Sequence, residues 1–286
     1  MISKGPFDSV RVRMIRKLLV KMGGRTLPEK TFAYIIAKEV EHNRLKKTAI
    51  CISFDCEGSK DILALPLLLK LLDKYKIKAS FACIGKLIEE YPEEHEAILK
   101  KGHEILNHTY THPEKFGRLS LAEKEREIVK CHKACKDTLG YDMVGFRAPH
   151  FGTLNVKDIY GILQKLGYKY SSNIIGAYAK TFGAPYYEKE ILELPVSVCP
   201  AHPWTTIDSY HSFTRNAHRK DFEAVFHKLL KTSIDNNLLV NVYFDPIAVH
   251  EKDFESVLKL LNLSKKRFRV LRLRDFARMW FDDREK

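Results

Sequence analysis

From residue 48 onward, short apolar runs alternate with stretches of helical periodicity, and this alternation limits the possible folds more than any other feature. The runs lie at residues 48–54, 79–84, 104–107, 145–147, 169–173, 192–198, 239–244 and 268–273. Helical patterns separate most of them, near residues 62–75, from 85 to 101, from Ser120 onward, and at 155–166, 221–234 and 253–261. Strands that alternate with helices form a largely parallel sheet. Seven or eight such units in about 230 residues predict an α/β fold, a closed or nearly closed (β/α) barrel.

Composition removes several other classes of protein. Of the 286 residues, 45% are hydrophobic and 30% are charged, which excludes a disordered, collagen-like or coiled-coil chain. The longest apolar stretch, residues 62–72, contains Pro66 and Lys70 and is shorter than the roughly 20 residues of a membrane-spanning helix. Basic residues interrupt the first thirty positions, which therefore do not resemble a secretory signal. We expect a cytoplasmic protein whose six cysteines are reduced.

The net charge of +13 is concentrated at one end of the chain. Residues 1–47 hold twelve Lys or Arg against four Asp or Glu, so we divide the chain into a basic, helical N-terminal segment, 1–47, and a barrel, 48–286. Apolar residues recur with helical spacing in residues 10–22. This stretch could contact an anionic membrane surface, or it could be a solvated helix that packs on the barrel. No zinc-finger spacing or RNA-binding signature indicates a specific nucleic-acid partner.

Reactive side chains follow the predicted strands at the ends where barrel enzymes place their active sites. The first strand ends in Asp55-Cys56-Glu57. Strand side chains alternate, so Asp55 and Glu57 point to the same face and Cys56 points to the other. Two carboxylates that face one site can divide the roles of metal ligand and general base.

Two histidines follow the third strand, in the sequence His108-Thr109-Tyr110-Thr111-His112-Pro113. Pro113 disfavours helical dihedrals at His112, which indicates a loop. Two imidazoles and one carboxylate form a three-ligand site with an open position for water, as in catalytic zinc centres. After the next strand, Arg147 precedes Ala148-Pro149. An arginine at this place can pair with a carboxylate and hold it ionised.

These motifs, in this order, resemble the polysaccharide deacetylases, the family with the chitooligosaccharide deacetylase (NodB) homology domain of carbohydrate esterase family 4. Three blocks carry the resemblance: Phe54-Asp55-Cys56-Glu57-Gly58, His108 to His112, and Phe146-Arg147-Ala148-Pro149. The likeness extends over roughly residues 48–276. It implies a distorted (β/α)7–8 barrel with one divalent metal ion. One residue, Cys56, separates the two acids of the first block. This spacing resembles the branch acting on peptidoglycan-like, cyclic-amide or surface-polysaccharide substrates.

The resemblance also implies a role for each residue. Asp55 would be the general base, Arg147 would orient it, and Glu57, His108 and His112 would bind the metal. In the family a histidine at the end of the seventh strand protonates the leaving amine, but this chain has Asp245 there. Asp245 can act as an acid if its pKa is raised, and His250 is a second candidate for that role. His150, His202 and His211, which we expect on the strand-end loops, are other candidates for the same role.

The sequence therefore predicts a metal-dependent amide hydrolase that removes the acetyl group from an N-acetylated sugar or polysaccharide precursor. One alternative is hydrolysis of another carbon–nitrogen bond, as in a cyclic ureide or imide. Another is a binding module that keeps the metal and has lost its acid. We expect Zn²⁺, while Co²⁺, Ni²⁺, Mn²⁺ and Fe²⁺ suit the same ligands. The expected partner is a carbohydrate or another acylated amine.

Overall fold

The computed structural model describes residues 26–150, 158–218, 220–263 and 267–282. The amphipathic stretch 10–22 lies outside these ranges. The strands are β1 Ala49–Cys56, β2 Ser80–Cys83, β3 Glu104–Asn107, β4 Gly145–Phe146, β5 Tyr170–Ser171, β6 Tyr186–Glu188, β7 Ile191–Glu193, β8 Leu239–Phe244 and β9 Arg269–Leu271. The helices are α1 Thr26–His42, α2 Ser59–Lys74, α3 Gly85–Glu90, α4 Pro92–Lys100, α5 Leu121–Leu139, α6 Tyr160–Lys165, α7 Phe222–Asp235, α8 Phe254–Leu263 and α9 Leu273–Asp282.

All the strands belong to one curled sheet, in the order β6-β7-β5-β4-β3-β2-β1-β8. Every neighbouring pair is parallel except β6 and β7, and β9 pairs with the first residues of β1. The chain after β7 reaches β8, where the Ser197 amide donates to the Asn241 carbonyl at 2.8 Å. The sheet is therefore a distorted, nearly closed (β/α) barrel, which confirms the predicted fold class.

Alternation along β1 separates two environments. Ile50, Ile52 and Phe54 belong to the large apolar cluster that also contains the helices. Ala49 and Cys51 belong to a smaller cluster on the other face, inside the barrel. The interior face continues through Ser53 to Asp55, both buried. Because strand side chains alternate, the inward positions of the neighbouring strands also end in polar residues: His108, Arg147 and Asp245.

The strand and helix predictions agree closely with the structure. The predicted strands at 104–107 and 239–244 coincide with β3 and β8. Ser120 caps α5: its hydroxyl accepts from the Glu123 amide, and the Glu123 carboxylate accepts from the Ser120 amide. The single helix predicted for 85–101 is wrong. It divides at Tyr91, because Pro92 disfavours helical dihedrals at the residue before it.

Other parts of the chain depart from the prediction. The observed part of the helix predicted for 155–166 is Tyr160–Lys165, and residues 151–157 lie outside the described ranges. The hairpin partner β6 and the helix α9 were not predicted. Within the first 47 residues the structure contains α1, whose Phe32, Ile35 and Ile36 pack against Val198 and Leu238. No helix in the described ranges is long and apolar enough to cross a membrane.

Gly85 allows α3 to approach α5 closely. A Cβ atom at Gly85 would lie 2.8 Å from Cys131 Cα in α5 and 2.8 Å from Tyr110 Cδ2. The Gly85 amide donates to the Thr109 carbonyl at 3.0 Å, so this contact also holds the loop that follows β3. Only a residue without a side chain fits between the helix and the loop.

We expect Gly85→Ala to lower the free energy of unfolding by about 1–3 kcal/mol, because the added methyl group meets backbone that cannot move freely. Gly161→Ala is the matched control, since its Cβ would contact only the flexible end of Lys189 at 3.0 Å. Alanine in that helix should leave stability unchanged or raise it by up to about 1 kcal/mol. Urea unfolding of the three proteins measures both effects, and equal losses in the two variants would contradict the packing argument.

Candidate active site

Glu57, His108 and His112 converge at the carboxyl end of the sheet. Their ligand atoms all lie within 4.8 Å of one another. Glu57 Oε1 is 3.3 Å from His108 Nε2 and 3.1 Å from His112 Nε2. The side chains of His108 and His112 are 1% and 12% exposed, whereas that of Glu57 is 40% exposed. The three groups predicted as metal ligands therefore form one cluster that is open on the side of the carboxylate.

Hydrogen bonding prepares His108 for metal binding. Its Nδ1 lies 2.9 Å from the backbone carbonyl of Arg147, an oxygen that can only accept. The proton therefore sits on Nδ1, and the lone pair of Nε2 points toward Glu57. In the same cluster, His112 Nε2 is buried and makes no hydrogen bond. A divalent cation would satisfy both nitrogens, so the residues fit a metal ion.

The loop from His108 to His112 is held in a strained conformation. Thr109 has a φ of 66° and His112 a φ of 55°, in the left-handed region that is costly for a β-branched residue such as threonine. The Glu127 carboxylate accepts hydrogen bonds from the amides of Tyr110 at 3.0 Å and Thr111 at 2.8 Å. Helix α5 thus holds the loop in place through Glu127, a residue that the sequence analysis did not identify.

Asp55 and Arg147 form an ion pair inside the barrel. Arg147 Nη1 lies 2.7 Å from Asp55 Oδ1. The Asp55 side chain is 1% exposed and the Arg147 side chain is 0% exposed. The same nitrogen donates to Ser53 Oγ at 2.8 Å, and Nη2 donates to Ser172 Oγ at 3.1 Å. The Arg147 guanidinium also lies 5.5 Å from the centre of the Tyr243 ring. The structure therefore gives Arg147 the contact with Asp55 that the resemblance implies.

The electrostatic environment keeps Glu57 ionised. Burial raises the pKa of its carboxyl group, but the neighbouring imidazoles of His108 and His112 outweigh burial, and the net pKa lies below the ordinary value. Asp61 fixes the backbone here, since its Oδ2 accepts from the amides of Glu57 and Gly58, both at 3.1 Å. Asp61 is the third residue of α2. An acid at this position is a sequence signal for the start of a helix, because its carboxylate can accept from the backbone amide of the N-cap residue.

Asp245 has the environment of a protonated acid. Burial, followed by the nearby carboxylates of Glu57, Asp55 and Asp61, raises its pKa to about 8, although a hydrogen bond from Ser209 acts in the opposite direction. Ser209 Oγ lies 2.7 Å from Asp245 Oδ2. The carboxyl group is therefore largely protonated at neutral pH. Ser209 was not identified from the sequence.

The remaining predicted histidines lie elsewhere. His250 is exposed at the end of the 3₁₀ helix Pro246–His250 and does not belong to the cluster of ligand atoms around Glu57. The His150 ring meets the His112 ring in an edge-to-face arrangement, with the ring centres 4.7 Å apart. His202 and His211 belong to a second cluster, with Cys199 and His218. Thus Asp245, rather than His250, shares the electrostatic environment of Asp55 and Glu57.

Removing the charge of Arg147 should strongly destabilise the fold. In Arg147→Met the buried Asp55 carboxylate would have no cation beside it, and we expect a loss of about 3–5 kcal/mol in the free energy of unfolding. The control is Lys231→Met, which breaks the exposed ion pair with Asp235 and should cost less than about 1 kcal/mol. Urea unfolding at neutral pH compares them. A loss as small as that of the control would show that the buried pair does not need its cation.

Comparison with known proteins gives a consistent result. Residues 42–171 match the family model of the polysaccharide deacetylases. The peptidoglycan deacetylase of Helicobacter pylori is 29% identical over 113 residues, which are 40% of this chain and 38% of that protein. The peptidoglycan-N-acetylglucosamine deacetylase of Bacillus cereus is 29% identical over 104 residues, 36% of this chain and 37% of that protein. The matched part of the chain thus spans less than two fifths of these curated relatives.

A solved structure extends the likeness to most of the chain. A Mycobacterium smegmatis protein assigned as a polysaccharide deacetylase superposes with a TM-score of 0.68, over 84% of this chain and 92% of that one. At 17% sequence identity this likeness concerns the fold alone. The family match includes the blocks around Asp55, His108 and Arg147, and the shared barrel continues beyond them. Residues 42–171 therefore match the polysaccharide deacetylase family, and the described part of the chain shares the barrel of the solved structure.

Proposed function

We propose that the protein is a metal-dependent amide hydrolase that removes the acetyl group from an N-acetylated sugar or polysaccharide precursor. One observation carries this proposal: the Asp55–Arg147 ion pair lies beside the cluster of Glu57, His108 and His112. Burial lowers the pKa of the His108 imidazole, but the nearby carboxylates of Glu57 and Asp55 raise it above its ordinary value. The proposed base and the proposed ligands therefore share one electrostatic environment. A site that only bound metal would need neither Asp55 nor Arg147.

Glu57, His108 and His112 would hold the metal ion. A bound divalent cation polarises the amide carbonyl and lowers the pKa of its water, which is the chemistry that amide hydrolysis needs. Imidazole and carboxylate ligands suit Zn²⁺, and Co²⁺, Ni²⁺, Mn²⁺ or Fe²⁺ also fit them. The exposed side of Glu57 leaves the cluster accessible to substrate.

Asp55 would accept the proton of the attacking water. Arg147 holds one carboxylate oxygen, Oδ1, at 2.7 Å, which fixes the orientation of the group and favours its charged form. The other oxygen then remains for the water. Ser53 and Ser172 hold the guanidinium in turn, so Arg147 acts as a positioning residue.

Asp245 would protonate the departing amine. Its raised pKa, about 8, means that the carboxyl group retains a proton at neutral pH, as a general acid requires. In this respect burial supplies what the family's histidine would otherwise provide. Ser209, at 2.7 Å, orients the group.

The proposed substrate is an N-acetylated sugar. The relatives named above act on peptidoglycan, which supports an N-acetylated sugar as substrate. Trp204 lies half-buried in the segment after β7, where it can contribute an apolar surface.

All six cysteines, each within the described ranges, are free and buried. Free thiols support a reducing compartment such as the cytoplasm.

Two variants should separate catalysis from metal binding. Asp55→Asn should keep about one equivalent of metal at this site and lose about 10²–10⁴-fold in turnover, because the base is removed while the three ligands remain. His112→Ala should lose both the metal of this site and the turnover. Elemental analysis and release of acetate from N-acetylated sugar oligomers measure the two properties. Full turnover in Asp55→Asn would overturn the assignment of the base, and release of ammonia without acetate would favour another carbon–nitrogen substrate.

A second pair of variants identifies the acid. Asp245→Asn should lower turnover by about 10²–10⁴-fold, whereas His250→Asn should leave it unchanged. Wild-type turnover should also decline as rising pH ionises Asp245, because the deprotonated carboxylate cannot donate. That decline should be absent from the residual activity of Asp245→Asn. The opposite result, loss in His250→Asn alone, would assign the acid to the loop histidine.

A further inference from the structure

Four potential metal ligands converge in the segment between β7 and α7. They are Cys199, His202, His211 and His218, and their ligand atoms all lie within 4.8 Å of one another. Cys199 and His218 are buried, at 0% and 3% exposure, and the other two are half-buried. None of them belongs to the cluster of Glu57, His108 and His112, and the proposed reaction does not use them.

The contacts between these four groups are close. Cys199 Sγ lies 3.0 Å from His218 Nε2, and His218 Nε2 lies 3.2 Å from His202 Nδ1. His202 Nδ1 in turn lies 3.1 Å from His211 Nε2. The three ring centres are 4.8–5.2 Å apart, so the imidazoles surround a common point.

Hydrogen bonds alone do not account for this arrangement. A neutral imidazole nitrogen either carries a proton or offers one lone pair. His218 Nε2 and His202 Nδ1 each have two partners in the cluster, so at most two of the three close contacts can be good hydrogen bonds. A cation at the common point would instead use one lone pair from every group.

The spacing is slightly tighter than that of a tetrahedral metal site, with Cys199 Sγ 3.0 Å from His218 Nε2. Bonds of about 2.0–2.1 Å to nitrogen and 2.3 Å to sulfur place neighbouring ligand atoms about 3.3–3.6 Å apart around zinc. The nitrogens of this cluster are 3.1 Å and 3.2 Å apart. The same spacing, 3.1 Å and 3.3 Å, occurs between Glu57 and the two histidines of the first cluster.

We propose that Cys199, His202, His211 and His218 form a second metal site, a structural zinc site with one thiolate and three imidazole ligands. Four protein ligands fill the tetrahedral shell and leave no position for water, as in structural rather than catalytic centres. The thiolate favours Zn²⁺ over the harder Mg²⁺ or Ca²⁺.

The local fold supports this assignment. An isolated antiparallel bridge between Val198 and Thr206 brings Cys199 and His202 together. The Asp208 carboxylate accepts from the His211 amide at 2.7 Å, at the start of the π-helical turn Tyr210–Thr214.

The second site would also support the first. Ser209, the residue that donates to Asp245, lies between His202 and His211 in the chain. A metal that joins both ends of this segment would fix the position of Ser209. This consequence depends on the proposed function, whereas the metal site itself does not.

Metal content of the full chain tests the proposal. After purification without chelator and titration with Zn²⁺, wild type should bind about two equivalents, and Cys199→Ser and His211→Gln about one each. His112→Ala should also bind about one, and the double variant Cys199→Ser/His112→Ala almost none. His227→Gln is the matched control, because His227 is exposed on α7, outside both clusters, and it should keep two equivalents.

Cobalt distinguishes the two sites directly. Wild type loaded with Co²⁺ should show a thiolate-to-cobalt charge-transfer band in the near ultraviolet. Cys199→Ser should lose this band, and His112→Ala should keep it, because the first cluster contains no thiolate. Both results come from the metal and not from turnover, so they hold even if the protein has no deacetylase activity.

The outcomes separate this inference from the proposed function. One equivalent in wild type, lost in His112→Ala and unaffected by Cys199→Ser and His211→Gln, would overturn the second site and leave the first. One equivalent that is lost in Cys199→Ser and kept in His112→Ala would establish the second site and remove the basis of the hydrolase mechanism. The absence of the charge-transfer band in wild type would also contradict a thiolate ligand.

Discussion

A charged group buried in the barrel must have a partner, and the Asp55–Arg147 pair is the interaction on which the candidate active site depends. The carboxylate and the guanidinium are both almost inaccessible to water, so each requires the other. Arg147 also contacts His108, because its carbonyl oxygen accepts from His108 Nδ1 and so turns Nε2 toward Glu57. One residue thereby holds both the proposed base and a proposed metal ligand.

Sequence reasoning predicted which residues lie together at the candidate site because regular strands follow simple rules. In β1, alternation determines which residues enter the barrel, so the position of Asp55 inside it follows from its place in the strand. Parallel strands end at one edge of the sheet, which brings His108 and Arg147 to the same place as Asp55. Glu57 directly follows β1, and His112 is separated from the end of β3 by a short loop.

Residues beyond the strands could not be placed by the same rules. Cys199, His202, His211 and His218 come from a bridge, turns and a π-helical turn, and no period relates their spacing in the chain to their distance in space. His202 and His211 were expected near the catalytic centre, but they face His218 instead. Ser209 and Glu127 likewise act through contacts between distant elements. By contrast, the cap at Asp61 is local and lies within reach of sequence reasoning.

Burial explains how Asp245, at the end of β8, can serve as the proposed acid. A histidine has its pKa near neutrality without help, whereas an aspartic acid must have its pKa raised by its surroundings. Burial raises the pKa of Asp245 most, and the negative charges of Glu57, Asp55 and Asp61 raise it further. A cation at the ligand cluster would oppose this effect, since it would stabilise the negative charge of Asp245. Burial must therefore raise the pKa of Asp245 far enough that the carboxyl group of this proposed acid still holds its proton when a cation is bound at the ligand cluster.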